Sequence, residues 1–243
     1  MEKSRWYRDW FNSPYYHLLY NKRDEVEADY FISKLTAHLK LQEGAKVWDL
    51  ACGKGRHVVA LARKGYNVVG TDLSEKSIQE AAAHHEPRTE FYVHDMRKPF
   101  RTNYFDCVLN LFTSIGYFEN KQDNMQVFKT AHLALKPGGR FVVDFFNAEK
   151  VSRSLVPHYI ETRGNITFNI HKKIENKAIR KNISFEHAGK QHRYEENVSL
   201  LEKEDFENFA SRSGFSTEQV FGNYNLQPFD KSGSDRLIMI FKK

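Results

Sequence analysis

Cysteine is scarce in this chain and long apolar runs are absent. Of 243 residues only Cys52 and Cys107 are cysteines. They are too few and too far apart for a zinc site or a disulfide framework, and this usage fits a reducing cytoplasm. No apolar run approaches the roughly 18 residues that span a bilayer. The N-terminal stretch MEKSRWYRDWFNSPYYHLLYNKRDEVEADY is aromatic and charged and lacks the apolar centre of a signal peptide. There is no internal repeat and no low-complexity tract.

What is present has an ordinary globular balance. Hydrophobic residues make up 40% and charged residues 28%, enough for one large domain or a domain with an inserted module. The net charge of +6 is regional. Between Glu161 and Arg193, eight Lys and Arg stand against three acids, which leaves +5 there and +1 elsewhere.

Strands alternate with helices over the first 150 residues. AKVWDLA reads as a buried strand, GRHVVALARKG as a helix stopped by Gly65, and YNVVGTDLS as a second strand. The helix EKSIQEAAAHH follows, with Ile78, Ala81, Ala82 and His85 on one face. TEFYVHD, YFDCVLNLF and RFVVDFFN supply three more strands. Between the last two, a helix carries Met125, Phe128, His132 and Leu135 on one face. This order predicts a doubly wound, mainly parallel sheet. After Val151 the period changes to two. Ile166, Phe168 and Ile170, then Ile179, Ile183 and Phe185, then Val198 and Leu200 predict an inserted three-stranded antiparallel meander. A helix and two strands complete the chain.

Open parallel sheets bind ligands at the carboxyl ends of their strands. The first strand ends in DLACGKG, whose glycines allow close backbone approach. The match to a dinucleotide fingerprint fails at its third small position, which is Val58, and no phosphate-loop G-K-[ST] is present. The turn fits a nucleoside ligand without a pyrophosphate better. Asp72, 19 residues after Gly53, ends the second strand. There a carboxylate accepts both ribose hydroxyl protons, and Ser74 is the better helix cap. Cys52 and Cys107 read as a turn residue and a core residue.

These residues resemble the class I S-adenosylmethionine-dependent methyltransferases. Asp49-Leu50-Ala51-Cys52-Gly53-Lys54-Gly55 is similar to that family's first motif. Asp72-Leu73 matches its ribose-binding acid, His94-Asp95-Met96 its adenine-binding acid, and Asn110-Leu111-Phe112 the segment beside the methionine moiety. The resemblance spans roughly residues 30–150 and the last two strands. It implies a Rossmann-like α/β fold, a seven-stranded sheet of order 3-2-1-4-5-7-6 with the seventh strand antiparallel. On that frame residues 1–40 are expected as an N-terminal helical lid, 41–155 and 200–243 as the core, and 156–199 as the β cap.

The resemblance implies S-adenosylmethionine as cofactor, S-adenosylhomocysteine as product, and no metal. The implied cofactor contacts are Asp49, Ala51, Cys52, Gly53, Gly55, Asp72, Leu73, Asp95, Met96, Asn110 and Leu111, with Tyr16 and Arg23 from the lid. Asp49 supplies negative charge near the ligand's ammonium. Ser114-Ile115-Gly116 is similar to sugar-amine N-methyltransferases, which carry a histidine next. Here Tyr117 stands there, to orient a substrate, act as a weak base, or pack. His17 is the other candidate general base. Tyr15 and Tyr20 in the lid, and Tyr224, Asn225 and Asp230 in the last loop, are expected near the acceptor mouth.

The expected partner is a small-molecule acceptor at a cytoplasmic enzyme, monomer or homodimer, with no membrane association. Lys173, Arg180 and Arg193 on one parity of the cap would favour an anionic acceptor by steering. Two rivals remain: an RNA methyltransferase, encouraged by the basic charge, and a non-catalytic cofactor-binding protein. No separate RNA-binding motif is present, and neither N/D-P-P-[YF] nor a Pro-Cys pair follows the fourth strand.

Overall fold

The computed structural model describes residues 6–20, 25–83, 86–118 and 120–243. Arg23, one of the expected lid contacts, lies outside them, as does His85. Three helices open the chain, α1 (Trp6–Phe11), α2 (Pro14–Leu19) and α3 (Glu25–Leu39). Then β1 (Lys46–Leu50), α4 (Arg56–Arg63), β2 (Asn67–Asp72), α5 (Glu75–Ala83), β3 (Thr89–Val93), β4 (Phe105–Asn110), α6 (Lys121–Ala134) and β5 (Leu135–Phe146) alternate. After α7 (Ala148–Arg153) come four strands, β6 (His158–Arg163), β7 (Ile166–Glu175), β8 (Ala178–His187) and β9 (Lys190–Ser199). The chain ends with α8 (Lys203–Arg212), β10 (Ser216–Phe221) and β11 (Arg236–Lys242).

The first sheet runs β10-β11-β5-β4-β1-β2-β3. Its pairings from β3 to β5 are parallel, and β11 is antiparallel to both β5 and β10. This is the expected Rossmann-like order. The apolar runs of β1 and β4 follow from burial on both faces. Val47, Cys107 and Leu109 enter one core beside α3 and α4, while Trp48, Phe105 and Val108 enter the other beside α6 and α8. Chain order reverses between β1 and β4, so their carboxyl ends frame the switch-point crevice. No described helix is long and apolar enough to cross a membrane.

The inserted sheet has four strands, β6-β7-β8-β9, where the sequence suggests three. The three expected strands are β7, β8 and β9. The added β6, HYIETR, is an edge strand with neither face fully buried, and Ile160 stays 63% exposed. It therefore carries no apolar stripe for a period of two to reveal. Ile166, Phe168, Ile170, Ile183 and Phe185 are buried on the inner face.

That inner face is filled by α1 and α2. Trp10 is fully buried against Tyr194, with ring centres 4.5 Å apart, and its indole N–H donates to Glu196 at 2.6 Å. Glu196 also accepts from the Tyr20 hydroxyl and pairs with Lys181 at 3.4 Å. By contrast α3 packs on α4 and sends Phe31, Ile32, Leu35 and Leu39 into the main core. Lys173 and Arg180 both pair with Glu175, on the face away from the helices.

The cap and its helices thus share one small core. Phe168→Ala is expected to destabilise the protein by about 3–5 kcal/mol, whereas Ile160→Ala on β6 should change stability by roughly 0.5 kcal/mol or less. Urea unfolding of both variants checks this, and equal costs would contradict the assignment of the inner face.

Candidate functional site

The turn after β1 concentrates unusual backbone. Ala51, Gly53 and Gly55 have φ of 67°, 56° and 80°, a region that L side chains rarely adopt. The two glycines do different work. A Cβ on Gly55 would come within 2.9 Å of Phe91, so its absence lets α4 start close to the sheet. A Cβ on Gly53 would meet nothing within 4 Å. Gly53 therefore opens the turn towards the crevice, while Gly55 closes the packing behind it.

Asp72 holds this turn. One carboxylate oxygen accepts the Gly53 amide at 2.9 Å and the other accepts the Ser74 amide at 2.8 Å. Burial raises its pKa, and the hydrogen bonds from Ser74, Gly53 and Leu73 oppose that rise. Ser74 in turn caps α5 through the Ser77 amide, and its hydroxyl donates to the Asn12 side-chain Oδ1 at 2.7 Å.

Asp49 is the sharpest electrostatic feature. It is 1% exposed, and its Oδ2 has no hydrogen-bond partner. Burial pushes its carboxyl up to about 7, with the Arg56 charge acting against the rise and Asp72 adding to it. A buried carboxylate oxygen without a partner is costly, and it favours a cation nearby.

A cavity of about 1420 Å³ opens over these strand ends, above the ordinary range for one small ligand. Ala51, Cys52, Gly53, Asp72, Leu73, Asp95, Met96 and Leu111 line it, as do Tyr16, His17 and Tyr117. Asp49, Gly55 and Asn110 do not. Asp49 and Asn110 lie behind the wall, and the Asn110 amide donates to the Leu50 carbonyl at 2.8 Å, tying β4 to the end of β1. Asp95 faces the cavity with its carboxylate occupied. Both oxygens bind the Arg97 guanidinium, at 2.6 and 3.0 Å, and one also accepts the Arg97 amide. Burial works to raise the Asp95 pKa, but these bonds hold it below the usual value.

Aromatic side chains close the far side. Tyr7 and Phe11 of α1, Tyr16 of α2 and Tyr20 just after it, and Tyr117 and Phe118 all line the cavity. The Tyr117 ring packs edge-on against Trp6 and Phe11, with centres 5.7 and 5.2 Å apart. It therefore both packs and faces the cavity. Tyr15 instead turns to the cap, bonding His187 at 3.0 Å.

Several expected residues lie elsewhere. Tyr224 donates its hydroxyl to Asp144 at 3.1 Å and stacks near Phe31, Asn225 bonds Tyr30, and exposed Asp230 accepts from its own loop. The last loop folds back on α3, and none of Tyr224, Asn225 and Asp230 lines the cavity. None of Lys173, Arg180 and Arg193 lines the cavity. Burial pushes the Cys107 thiol up to about 12 and the Cys52 thiol well above its usual value, which disfavours the thiolate at both.

Sequence reasoning singled out the segment after β4 but missed the two residues that hold it, Asp144 and Arg236. Phe112 and Thr113 have φ of 60° and 62°, a strain of about 1–3 kcal/mol each for non-glycine residues. Asp144 holds both. Its Oδ2 accepts the Phe112 amide and its backbone oxygen the Thr113 amide, each at 2.9 Å. Arg236 donates to Asp144 Oδ1 at 2.7 Å and to the Thr113 hydroxyl at 3.2 Å. Nothing local in the sequence marks a partnership 92 residues long.

Residues 47–139 match a family described as a methyltransferase domain. The chain is 30% identical over 172 residues to phosphoethanolamine N-methyltransferase 1 of Zea mays, covering 68% of this chain and 33% of that protein. It spans about half the length of the first curated relatives it matches. A crystal structure of an S-adenosylmethionine-dependent methyltransferase from Clostridium acetobutylicum superposes with a TM-score of 0.78 at 22% identity, covering 94% of this chain and 95% of that one. The S-adenosylmethionine-bound amino pentose methyltransferase CalS10 of Micromonospora echinaspora gives 0.68 at 17%, covering 91% and 92%. At these identities the two structures speak to the fold, and the matched domain and the strand-end motifs speak to the family. Residues 47–139 belong to the methyltransferase-domain family, and the chain has the fold of S-adenosylmethionine-dependent methyltransferases.

Proposed function

We propose that the protein transfers a methyl group from S-adenosylmethionine to a small molecule held beneath the aromatic lid. The observation that carries this reading is the continuity of one cavity, from the glycine turn to the rings of α1 and α2. The residues present fit the cofactor. Asp49, outside the cavity lining, sets a buried negative charge beside the turn that favours an ammonium there, the open face of Gly53 gives a backbone cradle, and each Asp72 oxygen keeps acceptor capacity for a ribose hydroxyl. Asp95 is the weaker contact, because Arg97 already occupies it. Met96 and Leu73 then offer apolar walls for the adenine.

When bound, the cofactor supplies an activated methyl carbon on a sulfonium. The chain's own work is to hold an acceptor in line with that carbon and to exclude water. Tyr7, Phe11, Tyr16 and Tyr117 form that wall. Rings of this kind suit an amine-bearing or apolar acceptor better than an anion. The anionic acceptor expected from the cap loses its support, because Lys173 and Arg180 pair with Glu175 away from the cavity. His17 faces the cavity and is our candidate proton acceptor. The maize relative's name, a phosphoethanolamine N-methyltransferase, also favours a small amine acceptor.

Incubation with methyl-tritiated cofactor and a cellular extract is expected to place label in the small-molecule fraction. Label in a defined RNA would overturn the reading in favour of the nucleic-acid rival. Label nowhere, with cofactor bound, would favour a non-catalytic protein.

Asp49 yields a pH-dependent prediction. Its folded pKa lies above its unfolded one, so the group costs the fold nothing below the usual carboxylate pKa. The cost grows as pH rises towards 7 and is complete above it, on the order of 4 kcal/mol. Asp49→Asn should therefore stabilise the ligand-free protein at pH 8 by roughly 1–3 kcal/mol, less than the full cost because its amide stays underpaired. At pH 4 the gain should vanish. The same variant should bind S-adenosylhomocysteine about tenfold more weakly or worse. Urea unfolding at the two pH values and calorimetry check both halves. A stability change independent of pH would refute the charge assignment.

A further inference from the structure

The clamp on Phe112 and Thr113 does more than close a loop. Asp144 is 1% exposed and sits on β5, and Arg236 begins β11, the last strand of the chain. Neither lines the cavity. Yet they bind both left-handed residues, through two backbone amides and the Thr113 hydroxyl. Tyr224 adds a third donor to the Asp144 carboxylate, at 3.1 Å, beside the Phe112 amide and Arg236. The Arg236 guanidinium lies over the Phe112 ring, 5.5 Å from its centre.

Phe112 itself lines the cavity and carries a second cation. The Arg56 guanidinium, at the first position of α4, lies over the same ring at 4.5 Å. Arg56 is the positive charge that acts on the buried Asp49. The contacts therefore run from the last strand, through the segment after β4, to the cation beside the partnerless carboxylate. They end at the side of the turn that carries Asp49. Asp72 and Leu73 stand at the end of β2, the neighbouring strand, and Met96 follows β3 with its sulfur 3.9 Å from the Asn110 amide.

We propose that Asp144 and Arg236 are positioning residues for the amino-acid end of the bound nucleoside cofactor. This rests on the methyltransferase reading above. By holding Phe112 and Thr113 left-handed, they seat the Phe112 ring that steers Arg56, and so set the charge balance in which the ligand's amino and carboxyl groups are received. The adenosine end does not depend on them. Arg236 suits this task because a planar guanidinium donates from separate nitrogens to Asp144 and Thr113 while lying over a ring. A lysine ammonium cannot reproduce that fork.

Comparison of two ligands tests the proposal. S-adenosylhomocysteine carries the amino-acid end, and 5′-methylthioadenosine lacks it. Calorimetry on Arg236→Lys is expected to show at least about tenfold weaker binding of the first and less than about twofold change for the second. Tyr224→Phe keeps the ring on Phe31 and removes only one donor to Asp144, so it is the safer variant for folding. It should show the same asymmetry, about threefold for the first ligand. Equal losses for both ligands in a folded variant would mean a merely structural role and overturn the proposal, as would a Tyr224→Phe protein that loses affinity for neither. A wild-type protein that binds neither ligand would instead bring down the cofactor reading beneath it.

Discussion

Asp49 places a carboxylate under the carboxyl end of β1, where the sheet is covered on both faces and water is excluded. The rest of the site is arranged around that charge. The turn must leave the sheet at once, which requires three left-handed residues in five positions. Asp72 must hold the turn through the Gly53 amide, and it adds its own negative charge nearby. Arg56, one residue beyond the turn, supplies opposing charge without direct neutralisation. A protein selected only for stability would bury an apolar residue at position 49. The carboxylate is retained at a cost, which is the expected signature of a binding role.

The acceptor side is built by different physics. No buried charge defines it. Aromatic rings from α1, α2 and the segment after β4 meet edge to face, and they are held by the cap on one side and, through Phe118, by the main core on the other. Trp10 and Tyr20 both bond Glu196, and Lys181 pairs with the same carboxylate. The lid helices and the cap therefore behave as one packed unit. That unit meets the core through Tyr117, Phe118 and the hydrogen bond from Ser74 to Asn12. Since Ser74 is also bonded to Asp72, the nucleoside end of the cavity and the lid share a continuous set of contacts.

The left-handed pair Phe112–Thr113 joins the two halves. Its segment borders both the turn after β1 and the aromatic wall. Strain in such residues persists only where surrounding structure over-determines them, and here that surrounding is a buried acid and a buried guanidinium from β5 and β11. The antiparallel last strand thus does more than extend the sheet. Its first residue reaches the switch point where the ligand crevice opens.

Much of this was legible from local chemistry. The glycine turn, Asp72 at the end of the second strand and the alternation of strand and helix are short-range consequences of backbone chirality and burial, so sequence by itself determined the Rossmann-like core and the strand-end residues Ala51, Cys52, Gly53, Asp72 and Leu73 that line one cavity. The period of two in 166–200 likewise revealed three strands of the cap. It missed β6, because an edge strand buried on neither face has no apolar stripe. Sequence also placed Tyr224, Asn225 and Asp230 at the acceptor mouth, since strand direction says where a loop starts and nothing about which helix it folds onto. The cap's cations looked like a rim for the same reason: parity separates two faces but does not say which one meets the cavity. Only tertiary structure decided that the lid fills the cap's inner face, that Asp95 is occupied by Arg97, and that Asp144 and Arg236 grip the segment after β4. Each of these depends on which buried surfaces meet, and that is set by packing between elements far apart in the chain.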